Sequence, residues 1–287
     1  MKEIVVAGVQ MTVEPKKIES NIEKAVFWLE KAVRVSQASL VVFPESITTG
    51  FVPGMSVEDL WKSVDAIPGR TTEKICQAAR RLGVYVVFPT YERGEEKNIV
   101  YNSAALISSK GEVLGVYRKT HPFPGERSWT TAGYETPVWD TEIGKIGIVI
   151  CYDGDFPELS RVIAMKGAEI IARPSAFLRS FDIWCMTNSA RAYDNHVYVV
   201  AVNAVGTDAA GTLYFGNSMI VSPIAQRLAQ ARSQEEILFA KLDPNPLMKV
   251  SYGIDSPMLF NHLQDRNIRA YEGILQDAPS PFPPFKE

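Results

Sequence analysis

"GIVICYDGDFPE", residues 147–158, carries an apolar run into a cysteine and then into a Gly, a Pro and a Glu. The run reads as a buried strand, and Phe156, Pro157 and Glu158 read as the start of a helix. Pro is tolerated in a first helical turn, and Glu suits the positive end of the helix dipole. Cys151 therefore stands at a strand-to-helix elbow, a junction that belongs to layered α/β folds. There a side chain can be exposed with helix N–H groups behind it. A lone Cys at a strand end is also an ordinary small hydrophobe. What else in the chain can reach Cys151 decides between the two.

The same alternation extends in both directions. Strands are expected at 4–10, 40–43 and 84–89, with helices at 16–35 and 71–82. In the first helix Ile18, Ile22, Ala25, Leu29 and Ala32 recur at helical spacing, and Gly83 stops the second. "VVFPE" at 41–45 returns as "VVFPT" at 86–90. Nothing recurs at a fixed period, so these are two equivalent strand ends rather than repeats. Segments 100–108 and 113–118 flank Ser109, Lys110 and Gly111 as a hairpin. Residues 120–137 lack periodicity and form a long loop, which inside a compact domain is usually functional. Strand 144–150, helix 158–166, strand 169–172, helix 181–195 and strand 197–202 follow, with β segments near 213–222 and 236–242. The pattern gives one layered α/β domain with mixed sheets, over residues 1–265. Residues 266–287 are a separate tail, whose final "DAPSPFPPFKE" is too rich in proline to continue helix or sheet.

With 46% hydrophobic and 22% charged residues, the 287-residue chain has the composition of a globular protein with a sizeable core. A net charge of −3 with scattered basic residues gives no case for nucleic acid or an anionic membrane. No apolar run approaches the ~18 residues of a membrane span, and the opening one is too short for a signal peptide. Cys76, Cys151 and Cys185 have no CxxC spacing, which points to a reducing, cytoplasmic setting. His121, His196 and His262 are equally scattered, so no metal site is expected.

Polar residues of catalytic type stand at three predicted strand exits: Glu45 after "LVVFP", Lys119 after "VLGVYR", and Cys151 after "IGIVI". Singly, each has an ordinary reading as a loop carboxylate, a surface charge or a packed thiol. Together they are the parts for attack on a carbon bound to nitrogen: a thiol nucleophile, a carboxylate to move protons, and an ammonium for the oxyanion. "VVFPE", "YRKTHPFPGE" and "CYDGDFPE" resemble, in order and approximate spacing, the three motif blocks of the nitrilase or carbon–nitrogen hydrolase superfamily. The likeness runs from "VVAGVQM" at 5–11 to "FGNSMIVSP" at 215–223. It implies a four-layer α-β-β-α sandwich, pairing into homodimers or larger assemblies, and chemistry that needs no metal or organic cofactor. It makes Cys151 the nucleophile, Glu45 the general base and acid, Lys119 the oxyanion cation, and Glu126 an orienting carboxylate. The Tyr152 N–H is placed as a second oxyanion donor.

The resemblance says less about the substrate, since relatives hydrolyse nitriles, amides, carbamoyl amines and glutamine side chains. Relatives acting on carboxylate-bearing amides often read "CYDLRFPE", with an Arg suited to a carboxylate. Here Gly154 and Asp155 take those places, and the segment is similar to aliphatic amidases. The reading is an amidase for a small neutral or cationic amide, with a carbamoyl-amine hydrolase as the alternative, then a nitrilase or a non-catalytic binder. Asp155, held close to the substrate, would repel anions or hold an amine. Arg173 at a strand end would reopen the anion option. Phe51, Trp129 and Phe177 are candidates to line the acyl pocket, Asn203 reads as structural, and Asp194 as an interface or site contact.

Overall fold

The computed structural model describes residues 1–246 and 261–278. The first half of the chain runs β1 (Ile4–Gln10), α1 (Ile18–Ser36), β2 (Leu40–Val42), α2 (Val57–Ser63), α3 (Arg70–Leu82), β3 (Tyr85–Arg93), β4 (Val100–Ile107) and β5 (Val113–Arg118). The second runs β6 (Val138–Thr141), β7 (Gly144–Ile148), α4 (Pro157–Met165), β8 (Ile170–Ser175), α5 (Phe181–Asn195) and β9 (Tyr198–Asn203). Shorter strands then close the fold: β10 (Val205–Thr207), β11 (Leu213–Phe215), β12 (Met219–Val221), β13 (Arg227–Gln230) and β14 (Glu236–Leu242).

Two six-stranded sheets result, in the orders β14-β1-β2-β3-β4-β5 and β6-β7-β8-β9-β12-β13. Each reads antiparallel, parallel, parallel, antiparallel, antiparallel along that order. Both sheets thus centre on a parallel trio, and the carboxyl ends of parallel strands are where such sheets open onto a ligand. The two "VVFP" segments are neighbours in register, with Val41 opposite Val86 and Val42 opposite Val87.

Successive strand side chains point to opposite faces, and here both faces are covered. Val6, Leu40, Val42 and Val87 meet Ile146, Ile148, Ile170 and Val200 between the sheets. Ala7, Val9, Val41, Val86 and Phe88 face Ala25, Leu29 and Ala32 of α1 and Ile75, Ala78 and Ala79 of α3. On the far side Leu159, Ile163, Trp184 and Ala192 bring α4 and α5 onto the second sheet. The fold is a four-layer α-β-β-α sandwich.

The sequence ends the third strand at Pro89, whereas β3 continues to Arg93. Pairing with β2 stops at Val87, and the Pro89 carbonyl accepts the Ile47 N–H at 3.2 Å on that same flank. The missing proline N–H therefore falls where no strand needs it. Helix α2 was not expected, because seven residues show little periodicity. Its signal is Ser56, whose hydroxyl caps the Asp59 N–H. Residues 266–278 carry one 3₁₀ turn, Ile268–Tyr271, and the rest of the Pro-rich tail lies outside the described residues. No helix among the described residues is long and apolar enough to cross a membrane.

Candidate active site

Glu45, Lys119 and Cys151 follow β2, β5 and β7, all of which deliver their carboxyl ends to one edge of the sandwich. Lys119 Nζ donates to Glu45 Oε1 and to Glu126 Oε2, both at 2.7 Å, with all three side chains at 0% exposure. Glu126 arrives on a 3₁₀ turn, Glu126–Ser128, inside the long loop. Asn102 of β4 donates its amide to Glu45 Oε1 at 2.7 Å and to Glu126 Oε1 at 2.6 Å. Backbone N–H groups complete the set: Ala176 to Glu45 Oε2 at 2.8 Å and Phe123 to Glu126 Oε2 at 2.9 Å.

The elbow is sharper than a strand running straight into a helix. A 3₁₀ turn, Cys151–Asp155, separates β7 from α4, and Cys151 itself has φ 47°, in the left-handed region. Only strong local contacts hold a non-glycine residue there. One is Arg173, which donates from Nε at 3.0 Å and Nη2 at 2.7 Å to the Cys151 carbonyl. Another is Asp153, whose carboxylate accepts the Ile150 N–H, the Tyr117 hydroxyl and the His121 N–H at 2.7–2.9 Å.

Burial, then the Glu45 charge, pushes the Cys151 thiol far above its ordinary range, against Lys119, Arg173 and the Ala176 N–H. Burial thus favours the protonated thiol. Burial alone would drive Lys119 down, but Glu126 and Glu45 reverse this and hold it well above the usual lysine range. Lys119 is a permanent cation whose third N–H is not used by either carboxylate. Its ammonium lies 5.3 Å from the centre of the Phe51 ring. No group of three or more His, Cys, Asp or Glu among the described residues could hold a metal ion.

The profile of the carbon-nitrogen hydrolase family matches residues 5–251. The chain belongs to that family. It is 36% identical over 244 residues to a nitrilase of Pyrococcus abyssi, covering 83% of this chain and 89% of that one. It is 30% identical over 253 residues to an omega-amidase of Xenopus tropicalis, with 84% and 89% covered. A carbon-nitrogen hydrolase structure from Helicobacter pylori superposes with a TM-score of 0.83 at 26% identity, over 96% of this chain and 99% of that one.

Within this carbon-nitrogen hydrolase the outer candidates do not all land beside the Lys119 cluster. Trp129 does: its indole donates to Tyr91 Oη at 3.0 Å and its ring meets Phe51 edge-on. The Tyr152 ring packs edge-on against Phe123 and Phe156 beside the thiol. Arg173 is corrected from substrate contact to brace. Its guanidinium is fully buried, and Nη1 also donates to Thr187 Oγ1 at 2.9 Å and Asn188 Oδ1 at 2.7 Å. Burial draws it down to about 10, opposed by Cys151 and Asp155, so it stays charged at neutral pH.

Gly154 explains how Arg173 fits, since a Cβ there would lie 2.1 Å from the Arg173 Cζ. Asp155 is likewise corrected. Its carboxylate accepts from Arg173 at 3.4 Å and pairs with Arg179, so it is not a free charge repelling anions. Phe177 is buried against Trp184 and Phe215. Asn203 is structural, bonding Phe177 N–H, Phe177 C=O and Gly216 C=O. Asp194 pairs with Arg191 at 3.5 Å and borders a cavity of about 390 Å³ whose lining contains none of Glu45, Lys119, Glu126 or Cys151. Asn102, Arg179 and the Ala176 N–H were missed. A mid-strand Asn and a backbone amide carry no sequence signal, and Arg179 has no motif around it.

Proposed function

We propose that the chain is an amidase that converts a small linear amide to a carboxylic acid and ammonia through a thioester on Cys151. The observation that carries this is the Lys119 ammonium shared by two buried carboxylates, with the buried Cys151 beside them. Glu45 Oε2 has one protein donor and a free lone pair to accept the thiol proton as sulfur attacks the carbonyl carbon. The third Lys119 N–H and the Tyr152 backbone N–H stabilise the oxyanion. Collapse breaks the C–N bond, and Glu45 returns its proton to the departing nitrogen. Water then attacks the thioester with Glu45 again as base, releasing the acid and restoring the thiol. Glu126 holds Lys119 in place.

Phe51, Ala176, Ala204 and Tyr214, with Phe123 and Trp129, form an apolar cluster beside the catalytic groups. That wall supports an uncharged acyl group. Asp155, paired with Arg173 and Arg179, gives no support to a cationic one. The enzyme is also proposed to work as a homo-oligomer, since Val162 and Met165 of α4 and Phe181 and Met186 of α5 expose apolar side chains. Light scattering at the mass of a single chain would remove that part. The activity is tested by ammonia release from a panel of short neutral amides, their carboxylate analogues and matching ureido compounds. Wild type releasing ammonia from the neutral amides, with Cys151→Ala inert, is the expected result. Ammonia only from the ureido compounds, or from Cys151→Ala, would reject it.

A further inference from the structure

Lys119 is not the only group that touches both carboxylates. We propose that Asn102 is a positioning residue that ties Glu45 to Glu126 and keeps Glu45 aimed at the thiol. This rests on the reading of Glu45 as the base. Asn102 lies in β4 opposite Tyr91, and its backbone carbonyl accepts the Lys119 N–H at 2.8 Å. Its side-chain amide gives one hydrogen to Glu45 Oε1 and the other to Glu126 Oε1, at 2.7 and 2.6 Å. With the two Lys119 contacts this closes a four-membered ring: Glu45, Lys119, Glu126, Asn102.

The amide orientation is forced, because turned over it would set Oδ1 lone pairs against two carboxylates. In the forced orientation Asn102 Oδ1 is buried with no hydrogen-bond partner among the described residues. An unmade hydrogen bond of that kind is destabilising, and a Leu would fill the space without it. The arrangement is therefore one that packing alone does not explain. What Asn102 supplies is two donors to a cluster with more negative than positive charge. Burial and the Glu45 charge hold Glu126 above the usual carboxylate range, against the opposing pull of Lys119 and the Asn102 amide. Without the amide, the cheapest neutraliser is a proton on one of the two carboxylates, and a protonated Glu45 cannot accept the thiol hydrogen. The titratable groups facing this pair are Lys119, Cys151, Tyr91 and Tyr214, and burial keeps both phenols neutral.

The test compares wild type, Asn102→Ala, Asn102→Asp and Glu45→Gln on the best amide of the panel, reading kcat, KM and the acid limb of the pH–rate profile. Asn102→Ala is expected to lose about 10–100-fold in kcat with little change in KM, the pattern of a defect in the chemical step. Its acid limb should move up by about one pH unit, as a carboxylate deprived of donors becomes more basic. Asn102→Asp, which puts a third carboxyl in the ring, should move it further. If Asn102→Ala does not fold, Asn102→Ser, which keeps one donor, carries the same two readouts. A folded Asn102 variant with an unmoved acid limb and wild-type kcat, while Glu45→Gln is dead, overturns the role of Asn102 alone. An active Glu45→Gln removes the base and this inference with it.

Discussion

Two charged clusters flank Cys151, and they are built in opposite senses. On the β4 and β5 side, two carboxylates share one ammonium in a ring that is closed to solvent. On the β8 and α5 side, Arg173, Arg179 and Arg191 gather around Asp155, and exposure grows outward from 1% at Arg173 to 30% at Arg179. The first cluster is made of side-chain groups that can take up or donate a proton, the task we propose for it. The second faces backbone, gripping the Cys151 carbonyl so that the left-handed elbow persists. Charge at a site edge does not by itself name a task. The atom it meets does.

Breaking the first cluster should remove rate and leave the fold. Lys119→Met is expected to lower kcat by at least ~10²–10³, since even one neutral oxyanion donor is worth that much. A steady-state assay beside a melting curve separates this from unfolding. Retention of more than about a tenth of the activity would take Lys119 out of the oxyanion role.

Breaking the second should do the reverse and strike stability first. Arg173→Met strips donors from the Cys151 carbonyl, Thr187 and Asn188, each a buried group whose lost partner costs ~1–3 kcal/mol. A large drop in the urea midpoint is expected, with Arg173→Lys a poor rescue because an ammonium cannot span the same fork. An unchanged midpoint would mean the brace is not one. Gly154→Ala should follow at about 1–3 kcal/mol, the usual penalty of overpacking, because its methyl would collide with the Arg173 guanidinium.

Much of the candidate site was legible because Glu45, Lys119 and Cys151 each follow a segment that the sequence marks as a strand. A strand end is visible in sequence, and parallel strands bring their ends together whatever lies between them. Strand ends alone left Glu45, Lys119 and Cys151 with ordinary readings, and the three motif blocks taken together singled them out. Asn102 was invisible because it sits inside β4, where alternation makes it one more inward-facing residue. Arg173 and Asp155 were visible but misread. Their types were right for a substrate, and sequence cannot show that Gly154 vacates the space into which Arg173 lies.

The smallest expected signal is an absence. Because burial and Glu45 hold the Cys151 proton, thiolate absorbance of wild type minus Cys151→Ala should show no step through neutral pH or the ordinary thiol range. A step near neutrality would mean a preformed thiolate, and the second cluster, not Glu45, would then be activating it.

The contrast between a proton-moving side and a backbone-holding side comes down to where the acyl group is carried and what puts it there. Wild type mixed with a productive amide, quenched in acid and mapped by peptide mass spectrometry, reads this directly. The acyl mass should appear on the Cys151 peptide alone, and vanish in Glu45→Gln while surviving, slowed, in Asn102→Ala. Acylation of Cys76 or Cys185 instead, or full acylation of Cys151 in Glu45→Gln, would contradict it.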